Sequence, residues 1–128
     1  MAGYEDARGH PADFLVEYRF YTEDEGGRPS LPNQRYRGDF LFAEDDPADG
    51  LWMIHHEFLS GSGEVLASWD ELAPRSGRAT MWILFPRTRA LLQTRLSVGA
   101  RYFIMEGRNK VGEGEVVEVL GLHDNPVG

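Results

Sequence analysis

Residues 14–27 read FLVEYRFYTEDEGG, and the order of residue types within them decides the fold class. Phe14, Val16, Tyr18 and Phe20 recur at every second position, with Glu17 and Arg19 between them. A period of two puts the apolar side chains on one face of a strand and the charged pair on the other. The run ends in Glu23-Asp24-Glu25 and then Gly26-Gly27, polar and glycine residues that turn the chain. A half-buried strand of about ten residues and a tight turn are expected here.

The same grammar continues outward. A second strand is expected from Arg35 to Phe42, with Tyr36, Phe40 and Phe42 on one side and Glu44-Asp45-Asp46-Pro47 breaking it. A third runs from Leu51 to Leu59, with Trp52, Ile54, His56 and Phe58 on one face and Met53, His55 and Glu57 on the other. Ser60-Gly61-Ser62-Gly63 suits a hairpin into Glu64–Trp69. After a break at Pro74–Gly77, strands are expected at Ala79–Phe85, Arg101–Glu106 and Val111–Leu120, the last two joined by Gly107-Arg108-Asn109-Lys110. Residues 88–97 fit either one or two helical turns or a buried edge. Residues 1–11 and 122–128 read as tails around a single domain at 12–121. Fifteen glycines and seven prolines punctuate short apolar segments, the pattern of an all-β barrel or sandwich.

Composition narrows the function classes. The chain has 128 residues and no cysteine, so thiol catalysis, iron–sulfur clusters and cysteine zinc sites are excluded. Net charge is −8, which opposes bulk affinity for nucleic acid or anionic membrane. The charge is uneven: residues 73–110 hold seven arginines and one lysine against Glu106 alone. No apolar run approaches the ~20 residues of a membrane span. The first twenty residues lack a basic start followed by an apolar stretch, so a cytoplasmic protein is expected.

Two segments together resemble the C-terminal (third) β-barrel domain of elongation factor Tu. One is EYRFYTEDEGGRPSLPNQRYRGDFLF, residues 17–42; the other runs from Met81 to Gly121, especially RYFIMEGRNKVGEGEVVEVLG from Arg101. The shared motifs are Glu25-Gly26-Gly27-Arg28, Tyr36-Arg37-Gly38-Asp39-Phe40-Leu41-Phe42 and Val111-Gly112-Glu113-Gly114, in that order. Residues 43–80 do not match. The resemblance implies a closed antiparallel barrel of about six strands, with the two matched segments pairing across it. It also implies that Arg28 and Gly107 stand at RNA-contacting positions; Arg35 and Arg37, if they share that side, and Arg108 are further candidate partner-binding or RNA-binding residues. Pro29, Asp39 and Met105 depart from the family pattern, and a carboxylate at 39 repels phosphate.

Other chemistry is thin. No phosphate loop is present, and Asn109-Lys110-Val111-Gly112 lacks the aspartate that reads guanine, so GTP binding and hydrolysis are not expected. Adjacent His55 and His56 point to opposite strand faces and cannot share a metal. His55 and Glu57 share a face but make an incomplete ligand set. Asp45, Asp46 and Asp49 before Gly50 lack calcium-loop spacing and read as a solvated turn. Ser60, Ser62 and Ser68 have no nucleophile elbow around them. No catalytic residue, cofactor or metal is expected.

Three functions remain. The preferred one is a non-catalytic protein-interaction module, or one that self-associates, with a link to translation through the resemblance. The second is binding of tRNA or another RNA around Arg28. The third is a small-ligand barrel or enzyme using residues 43–80, with Trp52, Trp69 and Trp82 as candidate walls.

Overall fold

The alternation at residues 14–20 builds the central strand of a six-stranded sheet. A computed structural model describes residues 9–34, 36–66 and 71–127. Its strands are β1 (Phe14–Phe20), β2 (Asp39–Phe42), β3 (Ile54–Phe58), β4 (Ser76–Ile83), β5 (Arg101–Glu106) and β6 (Asn109–Val119). Helix α1 (Pro86–Leu92) follows β4, and 3₁₀ turns occupy Glu23–Glu25 and Pro47–Asp49. The sheet order is β2-β5-β6-β1-β4-β3, and every neighbouring pair is antiparallel. The two resembling segments pair with one another, β1 with β6 and β2 with β5.

The sheet curls strongly because its concave face mixes large rings with missing side chains. Tyr18 sits opposite Gly77 on β4 and Gly114 on β6. A Cβ on Gly114 would stand 2.5 Å from the Tyr102 ring, so the ring can lie across that strand only over glycine. Bulges interrupt the registers of β6 against β1 at Leu15/Val16 and against β5 at Ile104/Met105, adding local twist. Phe14, Phe20, Phe40, Phe42, Phe58 and Tyr102 fill the concavity, with Phe40 stacked on Tyr102 at 4.3 Å.

The expected closed barrel is instead a strongly curled, open half-barrel. The outer strands β2 and β3 do not pair along their length. They approach at one bridge, where Phe40 and Trp52 exchange two N–H···O bonds of 2.9 Å. Beyond it, the Gln34 side chain takes the place of a strand. Its Nε2 donates to the Phe58 carbonyl (3.1 Å) and its Oε1 accepts from the Phe58 N–H (2.8 Å). The second strand is also shorter than expected. The Tyr36 N–H donates to the Asn33 carbonyl (3.0 Å), a turn, and the Tyr36 ring folds over Gly38. Only Asp39–Phe42 remain extended and paired.

Elsewhere β4 begins at Ser76, within the expected break, because Ser76 and Gly77 pair with Arg19 and Tyr18. Of the strand expected at 64–69, Val65 makes a single bridge to Leu59, and residues 67–70, including Ser68 and Trp69, lie outside the described residues. The helical alternative for 88–97 is realised at 86–92, where Pro86 starts α1 with its preset φ and Leu92 turns into the core.

One end of the half-barrel is tied by a buried polar cluster. Asp13 and Arg89 are both fully buried and pair at 2.7 Å. Asp13 also accepts from the Ile83 N–H (2.8 Å) and Asn125 Nδ2 (2.9 Å). Arg89 donates onward to the carbonyls of Ile83 (3.1 Å) and Pro126. Residues 122–126, expected as part of a tail, therefore contribute Leu122 to the core and Asn125 to this cluster.

Candidate functional site

Antiparallel pairing sends the turn after β1, the start of β2 and the β5–β6 hairpin to the same end of the half-barrel, opposite α1. The hairpin turns at Gly107, whose φ of +61° lies in the left-handed region that suits glycine. Arg108, Asn109 and Lys110 follow it, all exposed. The Lys110 Nζ lies 4.0 Å from the Phe103 ring centroid, which holds this cation against the hairpin.

Arg28 reaches this end from the other segment. Gly26 takes φ +91° after the Glu23–Glu25 turn, and the chain then reverses. The Arg28 guanidinium donates to Glu106 Oε2 at 3.1 Å and lies over the Tyr36 ring, 4.9 Å from its centroid. The Tyr36 hydroxyl donates to the same carboxylate oxygen at 2.7 Å. Burial, followed by the Glu106 carboxylate, pushes the Tyr36 hydroxyl well above its ordinary pKa, so it remains a donor.

Arg28 is not paired with the acids that precede it. Glu25 instead engages Arg19 at 2.9 Å and closes a capping box on Thr22. The Arg19 hydrogen bond holds its carboxyl at about 2. The structure thus brings Arg28, Gly107 and Arg108 together, with Glu106 and Tyr36 as the connection between them. Arg37 is exposed just before β2, and Arg35 lies outside the described residues. Asp39 begins β2 opposite Met105, and burial raises its carboxyl pKa. Gly112 and Gly114 face the concavity and serve the packing there.

Glu106, Tyr36 and Lys110 were not among the sequence candidates. Glu106 had a legible signal, being the single acid within residues 73–110, a stretch otherwise basic. A lone carboxylate in such a run is a natural organiser for guanidinium groups.

The other candidate chemistry disperses. His56 turns into the core and meets the Tyr102 hydroxyl at 3.0 Å, while His55 pairs with Trp82 on the opposite face. Asp46 caps the Pro47–Asp49 turn by accepting from the Ala48 N–H at 2.8 Å. Among the described residues, no three histidine or acidic side chains gather to hold a metal ion. No helix among them is long and apolar enough to cross a membrane. No protein-family model matches this chain, and no curated protein matches it either.

Proposed function

We propose that this chain is a non-catalytic, cytoplasmic binding module that docks on an acidic face of a partner protein through its β5–β6 hairpin end. One observation carries the reading. Arg28, 78 positions from Glu106 in sequence, is fixed beside the hairpin by Glu106 and Tyr36. Arg108 and Lys110 stand exposed on that hairpin in a chain of net charge −8. A preorganised group loses less freedom on binding, and a local basic patch on an acidic molecule selects orientation as well as partner.

Kinship with the C-terminal barrel of elongation factor Tu, and through it a link to translation, belongs to the same proposal. The antiparallel half-barrel and the pairing of the two resembling segments support it. A protein partner is favoured over tRNA because the net charge of −8 opposes a long polyanion, which spreads beyond the basic hairpin, more than it opposes a local acidic face. The carboxylate of Asp39 begins the neighbouring strand, where it opposes phosphate.

The test is affinity capture from the source cell with the natural chain and an Arg108→Glu/Lys110→Glu variant, reading protein and RNA separately. An acidic protein recovered by the natural chain and lost by at least about tenfold in the variant supports the reading; charge reversal at a steered interface has effects of this size. Recovery of RNA with a steep salt dependence, or of the same proteins by both chains, contradicts it.

A further inference from the structure

At the opposite end of the half-barrel, a cavity of about 430 Å³ opens beside the Phe40–Trp52 bridge. Asp45, Gly50, Leu51, Trp52 and Arg95 line it. This volume falls within the range of small-molecule sites and holds one amino-acid-sized group. The walls pair an indole and a leucine with one fixed ion pair, a mixture of apolar surface and a few placed polar atoms.

The state of Arg95 decides which charge the cavity favours. Its guanidinium grips Asp45 with both nitrogens, at 2.8 and 2.9 Å, and reaches Glu44 at 3.3 Å. It also lies over the Phe42 ring, 3.9 Å from the centroid. This positive charge is already met by two carboxylates and held on an aromatic face. An anion entering the cavity would meet an occupied guanidinium and the carboxylates themselves. An incoming cation meets the opposite situation. Asp45 keeps further lone pairs for a donor, Glu44 is exposed nearby, and Trp52 offers the ring type with the strongest attraction for cations.

We propose that this cavity binds an organic cation, with a guanidinium or ammonium group set between the Trp52 indole and the Asp45 carboxylate. The site is independent of the hairpin end, and either could exist without the other. Gly50, at φ +109°, ends the Pro47–Asp49 turn with no side chain over the opening. The fixed pair of Asp45 and Arg95 shapes the wall before any ligand arrives, so little reorganisation opposes binding.

Agmatine is a suitable probe, titrated into the full chain by calorimetry and by tryptophan fluorescence. Saturable binding is expected, with a fluorescence change that disappears in Trp52→Phe. Glu44→Gln, at an exposed position, should weaken binding about two- to fivefold without touching the core, the scale of a nearby charge or cation–π contact. Acetate and phosphate should not bind. A glycine–arginine peptide at equal guanidinium concentration separates a protein side chain from a free metabolite as the source; occupancy by either supports the site. The proposal is overturned by absence of saturation, by equal binding in both variants, or by preference for the anions.

Discussion

Replacing Arg89 with methionine should be among the most destabilising single changes in this chain. Methionine keeps the unbranched stem and much of the volume of arginine but stops short of the guanidinium, so the packing of the stem is retained while the charge and donors vanish. Asp13, buried to 0% exposure, would keep the Ile83 N–H and Asn125 Nδ2 but lose both contacts from Arg89. The carbonyls of Ile83 and Pro126 would lose a charged donor at the same time. Breaking one side of a buried pair costs roughly 3–5 kcal/mol, whereas an exposed pair costs at most about 1 kcal/mol. Urea unfolding followed by tryptophan fluorescence gives the number directly. With a slope near 2 kcal/mol/M, typical for a domain of this size, the midpoint should fall by about 2 M. Asp13→Asn combined with Arg89→Met removes the stranded charge and should recover part of the loss. A single-variant cost under about 1 kcal/mol would show that Asp13 and Arg89 do not hold this end together.

Other changes read other parts of the fold. Burial, with a smaller contribution from His55, lowers the His56 pKa to about 3, so the unfolded chain takes up a proton here before the folded one does. This contribution to stability is complete above about pH 6.5 and declines as pH falls toward 3, by about 2 kcal/mol at pH 5. His56→Phe should remove that part of the pH slope, measured as unfolding free energy at pH 7 and pH 5; an unchanged slope would refute the assignment. Gly114→Ala places a Cβ 2.5 Å from the Tyr102 ring and should cost about 1–3 kcal/mol of unfolding free energy, and a neutral result would mean that the ring does not cross this strand. Gln34→Ala strips the side-chain partner from both backbone groups of Phe58, and calorimetry should show a loss of about 1–3 kcal/mol. If stability is unchanged, β3 is protected by something else.

The strands were legible wherever alternation was clean. Phe14 to Phe20 and the core orientation of His56 follow from period two alone, while Arg101 to Glu106 is a continuous apolar run placed by its neighbouring turn, and the antiparallel pairing of the resembling segments agrees with the order of their motifs. The open seam between β2 and β3 was not legible, because a side chain acting as backbone spans part of it. Nothing in local pattern distinguishes Gln34 from a surface glutamine. The Asp13–Arg89 pair was hidden for a related reason. Its members lie 76 positions apart, and charged residues are read as solvated until the fold encloses them. Arg28 and Gly107 were identified together through the resemblance, but their connection through Glu106 and Tyr36 depends on how two distant turns meet at one end of the sheet.

The most direct test of the central claim is an amide chemical-shift map of the ¹⁵N-labelled chain, titrated separately with the captured acidic partner and with unfractionated tRNA at physiological salt. The partner protein should shift Arg28, Tyr36 and residues 106–110, tRNA should leave these signals in place, and Arg108→Glu/Lys110→Glu should abolish the response. Shifts produced at these residues by tRNA, or a partner footprint confined to the opposite end of the half-barrel, would contradict it.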